Sequence, residues 1–442
     1  MTTSFVSDFV HALSFDDLPQ SAISAAKRST LDTLGVAIAG QQTPNARIVC
    51  NHAAAHHGAG DIGARLLFDG RRVSVPGAAM ANAAMIDSFD AHDGHKITKG
   101  HAGVVVVPAA LAFADGVAPS TGPEFLTRVV LGYEIAIRAG IALHKLAADY
   151  HTSGAWNALG AAAIGARSLG LDHGQTGHAL GTAEYYGPRS PMMRAIDHPT
   201  MVKDGATYGA QAGVAAAFLA ADGFTGGPAA LIDDRAIRHL WSDLGRRWRV
   251  EEQYFKPYPV CRWAQPAIEA IRQLMARMDE QPVRKIAIHT FREATKLAAS
   301  DPQTTEDAQY SLPFPVAAML VDGHITADTV IDLPAPRRIV DVARRIQLVE
   351  DGKANEAFPA TRLARAEVTL QDGSFLESKW VEPPGDPENP LPDGALELKF
   401  RSYAEPVMGG RATNTVVDML WSLDKVAELR GLTDVLYRRV QK

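Results

Sequence analysis

Cysteine is almost missing from this chain, with only Cys50 and Cys261 among 442 residues. Disulfides are therefore not expected to hold it together, and a reducing, cytoplasmic compartment fits. Two thiols also fall short of the three or four cysteine ligands of an iron–sulfur cluster or a cysteine-rich zinc site. Long apolar runs are lacking too: the longest charge-free stretches, such as Gly205 to Ala221, are built of Gly and Ala with Thr, Tyr and Gln. They read as buried helices, not membrane spans. Met1 to Gln20 carries Asp8, Asp16 and Asp17 without a basic start and apolar core, so no secretory signal is expected there. Charge of one sign is also scarce. With 44 basic against 50 acidic side chains, a net charge of −6 and no basic stripe interleaved with aromatics, nucleic acid is not an expected partner.

What is present describes a globular protein. Apolar residues make 46% of the chain and charged ones 21%, too few charges for a disordered one. Two domains are expected at this length, because single cores seldom grow past ~250 to 300 residues. The first two thirds is alanine-rich and cut by turn signals into helix-length pieces. Ser21 to Ala39 puts Ile23, Ala26, Thr30, Leu34 and Ala37 on one stripe, and Pro123–Leu143, Asn157–Leu169, Thr176–Ala183 and Tyr208–Ala221 behave alike. Their small residues allow close helix approach, which predicts a layered all-helical domain. After about Arg277 the texture changes. Arg284–Phe291 alternates, and Ala366–Leu370 with Phe375–Val381 across Gln-Asp-Gly reads as a hairpin, so a smaller α+β domain is expected. Glu382 to Asp393 holds five prolines and must be extended, after which Ala395–Phe400 and Asn414–Val440 look helical again. The fold class expected is mainly α with a smaller α+β domain.

Four polar interruptions carry the candidate chemistry. The densest, Asp87 to His101, gathers Asp87, Asp90, His92, Asp93, His95, Lys96, Lys99 and His101 between two apolar segments. A solvated loop is the plain reading. The functional readings are a His/Asp metal site or an acid–base pocket for an anion; Gly94 and Gly100 weaken a helical His92/His95 pair, and the adjacent lysines would repel a divalent ion, so no metal is expected. In the second, Asp149 to Thr152, His151 lies just before a helix N-terminus, where a neutral imidazole is favoured. The third, Tyr185 to Gly205, carries Arg189, Arg194, His198 and Lys203; a lysine entering a buried Ala/Gly helix pair is costly unless it meets an anion. The fourth, Tyr254 to Pro266, sets Lys256, Cys261 and Arg262 at the expected domain junction, a favoured place for ligands. Gly58 to Gly63 matches GxGxxG, but no strand precedes it and no βαβ unit surrounds it, so no dinucleotide site is expected. Cations with a neutral imidazole suit a small di- or tricarboxylate whose developing enediolate the cations would stabilise.

Several segments in order, LDTLGVAIAG (Leu31–Gly40), the Asp87–His101 run, His151 with its Gly/Ala helix, MVKDGATYGAQAGVAAAFLAADGFTG (Met201–Gly226), FKPYPVCRWAQPAIEA (Phe255–Ala270), YSLPFPVAA (Tyr310–Ala318) and GDPENPLPDGALELKF (Gly385–Phe400), resemble the MmgE/PrpD family. That family includes 2-methylcitrate dehydratase, cis-aconitate decarboxylase and iminodisuccinate epimerase. The resemblance implies a helical domain from 1–266 plus 400–442, an α+β lid domain over 267–399, and a homodimer. It implies a catalytic set of Asp90, His101, His151, Lys203 and Lys256 converging in one cleft, to which the polar clusters add His92, Asp93, His95, Lys99, Arg189, Arg194, Cys261 and Arg262 as expected substrate contacts. Asp90-Ala-His92-Asp93 replaces a double aspartate, leaving either acid as the equivalent one; Cys261 stands near a histidine of the decarboxylase branch and Phe314 in place of a tyrosine. The expected activity is a cofactor-independent lyase, a hydro-lyase first, that removes a proton α to a carboxylate; an epimerase, a decarboxylase or a non-catalytic carboxylate- or metal-binding protein are the alternatives.

Overall fold

The computed structural model describes residues 2–278 and 281–439. Its first half is helical, as the small-residue periodicity requires. Helices Gln20–Gly40, Val75–Asp87, Gly103–Gly116, Gly122–Leu146, Gly154–Leu169, His173–Tyr186 and Ala206–Ala221 pack into layers. Each runs a few residues past its predicted ends where a cap allows it: Thr121 accepts from Glu124 N and Asp172 from Gln175 N. Glycine lets these helices touch. A Cβ on Gly213 would overlap the Ala158 carbonyl of the neighbouring helix, so the Gly154–Leu169 and Ala206–Ala221 backbones meet directly.

The sheet-bearing part follows the helix Gln265–Met275. Its four-stranded sheet runs in the order Ile346–Glu350, Val283–Thr290, Ala364–Leu370, Phe375–Glu377, the first pair parallel and the others antiparallel. The alternating burial of Ala364–Leu370 puts Ala364, Ala366, Val368 and Leu370 inward. The second arm of the predicted hairpin is shorter than expected, ending at Glu377, and Val381 makes only an isolated bridge to Ala364. The proline-rich segment ends in a helix at Asp393–Trp421 that packs on Gln20–Gly40 and is kinked at Gly409, φ 77°. Beyond it the predicted continuous helix is instead a short turn, Leu423–Lys425, and a helix Arg430–Leu436; Val440 lies outside the described residues.

Two short strands position the site. Gly94–His95 pairs antiparallel with Gln253–Tyr254, which ties the Asp87–His101 loop to the segment that carries Lys256. The Gly58–Gly63 run leads into a small hairpin, Gly63–Arg65 with Arg72–Ser74, rather than a strand–turn–helix unit. Among the described residues no helix is long and apolar enough to cross a membrane.

Candidate active site

The polar loop that composition would place in solvent is inside the protein. Asp87, Asp90, His92, Asp93 and His95 are each no more than 4% exposed. Asp90, Asp93 and His95 are held there by side-chain partners, whereas Asp87 Oδ2 and His92 Nε2 are buried without one. Asp90 accepts from the Lys256 ammonium at 2.5 Å, and its backbone N–H donates to Gln309 Oε1 at 2.7 Å. Lys203 Nζ donates to the same Gln309 oxygen at 2.7 Å and lies 4.7 Å from the Tyr310 ring centroid. Gln309, fully buried, in turn donates to the Ser88 carbonyl at 3.1 Å and to Thr305 Oγ1. One amide thus joins loop, lysine and the helix Thr305–Gln309.

Around this hub lies a cavity lined by Asp87, Asp90, His92, Lys99, His101, Tyr150, Met192, Ile196, Asp204, Tyr254, Lys256, Cys261, Arg262, Trp263, Tyr310 and Arg362. Its volume is only about 30 Å³. It is a narrow slot.

The electrostatics sort these groups into roles. Burial alone would raise the Asp90 carboxyl, but Lys256 and then Lys203 hold it well below the usual carboxylate range, so it is an anion. His101 Nδ1 sits 2.5 Å from the Asp93 carbonyl oxygen; a carbonyl only accepts, so Nδ1 carries the hydrogen and Nε2 keeps its lone pair. Burial, then Lys256, lowers His101 to about 4, and it is neutral at pH 7. His92 packs 4.3 Å from it, centroid to centroid, and is pushed down further by burial and by His101. Asp87 and Asp204 go the other way. Burial, then the neighbouring Asp204, raises Asp87 to about 8, and burial raises Asp204 to about 7 although Ser153 donates to it. Both carboxyls are thus shifted toward their protonated forms. Cys261 is pushed up to about 12 by burial, then by Asp90, so its thiol is not a nucleophile.

Of the residues expected from sequence, the slot brings together Asp90, His92, Lys99, His101, Lys256, Cys261 and Arg262, and Lys203 reaches its wall through Gln309 and Tyr310. Asp93 stands behind the slot, accepting from Tyr133 Oη at 2.7 Å, so Asp90 is the acid that faces the ligand space. His95 is turned away and bonds Glu252 at 3.0 Å. Arg189 pairs with Asp149 at 2.5 Å and, with Arg194, His198 and one side of Lys203, lines a separate outer groove. These three corrections, His95, Arg189 and Arg194, share a cause: each found a nearer partner or the solvent.

Two further expectations need revising. His151 does not line the slot: it stacks on His144 at 4.1 Å, its Nδ1 3.1 Å from the Asp149 carbonyl, although its neighbour Tyr150 is in the lining. Arg262 lines the slot, but its guanidinium is committed to Asp386 at 2.7 Å and to the Pro384 carbonyl at 2.8 Å, which anchors the proline-rich segment. Phe314 is packed in the core; the tyrosine of that stretch that reaches the slot is Tyr310.

Sequence reasoning missed Asp204, Tyr150, Tyr254, Gln309, Tyr310 and Arg362, and left Asp87 unused. Asp204 and Tyr150 were signalled by adjacency to Lys203 and His151. Nothing local marks Gln309 or Arg362. The donor atoms of Asp90, His92 and His101 also lie within 4.8 Å of one another, a set that could hold a metal ion. The Lys256 ammonium 2.5 Å from Asp90 already supplies the cation there.

Comparison with known proteins agrees along the chain. The MmgE/PrpD N-terminal domain matches residues 5–238 and the MmgE/PrpD C-terminal domain residues 258–424. Among curated proteins, the chain is 25% identical to the cis-aconitate decarboxylase of Homo sapiens, covering 99% of this chain and 94% of that one. It is 22% identical to the cis-aconitate decarboxylase of Aspergillus terreus, covering 98% and 95%.

Proposed function

This chain belongs to the MmgE/PrpD family, and from that membership and the chemistry of the slot we propose that it is a cofactor-independent lyase acting on a small di- or tricarboxylic acid. One geometric observation carries the reading: the His101 imidazole, whose Nδ1 bonds the Asp93 carbonyl and leaves Nε2 free, shares the slot with the Lys256–Asp90 ion pair and with Asp87 and Asp204, carboxyls that burial shifts toward their protonated forms. A base, a cation for developing charge and an acid are what abstraction next to a carboxylate needs.

In the hydro-lyase form, His101 Nε2 takes the proton α to a carboxylate. The C–H electrons pass through an enediolate steadied by Lys203 and Lys256 and form the C=C bond as the β C–O bond breaks. The hydroxyl leaves as water with the proton held by Asp87–Asp204, and the imidazolium proton then restores that pair. General acid–base groups contribute ~10² to 10⁴-fold, so the cations must supply much of the rest. His151, stacked on His144 outside the slot, is not the base in this scheme.

Decarboxylation is the second reading, favoured by the full-length similarity to cis-aconitate decarboxylases. There the C–C bond to a carboxylate breaks, carbon dioxide leaves, and the carboxylate pair protonates the carbon. Metal-free protein is to be incubated with citrate, 2-methylcitrate, aconitates and substituted succinates in D₂O, following alkene absorbance and carbon dioxide release. Alkene formation without carbon dioxide supports the hydro-lyase and carbon dioxide the decarboxylase. Deuterium exchange alone means an epimerase, and no turnover or exchange on any acid overturns the enzyme reading.

A further inference from the structure

Among the described residues, every buried lysine or arginine stands within 4 Å of a carboxylate except two, Lys203 and Arg362. Lys203 belongs to the site already described. Arg362 is 2% exposed and lines the same slot, yet it comes from the other part of the chain, two residues before the strand Ala364–Leu370. Its Nη1 donates to the Pro359 carbonyl at 3.2 Å, and its Nε has no partner. Its guanidinium carbon lies 5.9 Å from the ring centroids of both Tyr254 and Phe358. Aromatic faces attract a cation but do not neutralise it.

Lys99 stands at the same wall. Its ammonium lies 4.5 Å from the Tyr150 ring centroid, and its backbone is held at φ 49°, a strained conformation for a non-glycine residue. Only two other non-glycine residues among those described share it, Phe68 and Lys203. Both unpaired slot lysines are thus strained, the pattern of side chains aimed by their surroundings. Lys203 is held by Gln309 and Tyr310, whereas Arg362 and Lys99 gather at Tyr254 and Tyr150. The slot has a second cationic position with no carboxylate in ion-pair reach of Arg362.

We propose that Arg362, with Lys99 beside it, binds a second carboxylate of the substrate, so that the acid recognised presents carboxylates at two separate points. A planar guanidinium offers parallel N–H donors matched to a carboxylate, and a buried unpaired one is costly until an anion arrives. This rests on the carboxylate-lyase reading and deepens it by assigning recognition of the second carboxylate to a residue of the sheet-bearing part.

The test is binding, not turnover. Titration calorimetry of the full chain compares the unreactive probes tricarballylate and butyrate on wild type, Arg362→Gln and Arg362→Lys. Wild type is expected to bind tricarballylate at least about ten-fold more tightly than butyrate. Arg362→Gln should lose that preference by weakening tricarballylate alone, with Arg362→Lys intermediate. Wild type with the preference and a folded Arg362→Gln that keeps it would overturn the assignment to Arg362 while leaving the carboxylate site standing. Wild type without affinity for either probe would overturn both. If Arg362→Gln does not fold, Arg362→Lys decides: unchanged tricarballylate affinity in that variant refutes the guanidinium anchor.

Discussion

A single hydrogen bond decides what His101 can do. Because the Asp93 carbonyl fixes the Nδ1 hydrogen, the free Nε2 is a base, and a value near 4 keeps it one across neutral pH. The Asp87–Asp204 pair holds its proton up to about 7 to 8. The kcat/KM profile should therefore be bell-shaped, rising through about 4 and falling above about 7 to 8; an acid limb at the ordinary histidine value would refute the His101 role. Asp87→Asn should lower kcat by ~10² to 10⁴. It should also act on stability. A carboxyl raised in the folded state contributes stability below its unfolded value near 3.8, which is lost as pH rises through the folded value of about 8. Thermal melts from pH 6 to 9 should then fall less for Asp87→Asn than for wild type. Asp90→Asn leaves the buried Lys256 ammonium unpaired and should cost ~3 to 5 kcal/mol in denaturant unfolding; a cost under 1 kcal/mol would mean the pair is not buried as described.

At the scale of elements, the site depends on a strand pair of two residues on each side. Gly94–His95 against Gln253–Tyr254 brings the Asp87–His101 loop to Lys256, and Gly94 lets the strands meet, since a Cβ there would overlap the Tyr254 hydroxyl and crowd His101 Nδ1. Gly94→Ala should therefore cost ~1 to 3 kcal/mol and reduce activity more than stability alone explains, measured as kcat at a temperature where the variant is fully folded. The helices were legible, because alanine- and glycine-rich stretches with capping residues carry a 3.6-residue period that needs no distant information. The break of the C-terminal helix near Trp421 was not, because apolar spacing continued past it.

At the scale of the molecule, residues from the helical part and the sheet-bearing part meet in one slot. Asp90 and His101 come from the first loop, Lys203 from the turn before Ala206–Ala221, Tyr310 from beside Pro313–Asp322 and Arg362 from the edge of the sheet region. Exposed Tyr185, Tyr186, Met201, Val202 and Tyr208 lie on the helix ends and turn nearby, an apolar surface that suits the homodimer the family resemblance implies. Analytical ultracentrifugation should give twice the 47.3 kDa chain mass, falling to one chain for Val202→Lys with Tyr208→Lys; a wild-type monomer at micromolar concentration would refute it.

By itself the sequence determined the helical texture, the change to a mixed sheet, and which loops carry dense polar chemistry, because periodicity and clustering are local. Clustering set Asp90, His101, Lys203 and Lys256 among many polar residues, and the family resemblance singled them out. Only the tertiary structure decided who is free to act. Ionic groups are consumed by whichever partner lies nearest in space, so Arg262 is spent on Asp386, Arg189 on Asp149 and His95 on Glu252, while Arg362, isolated in sequence, is left buried without a counter-charge. Partner distance and desolvation, neither of them written in local order, separate a binding cation from a structural one.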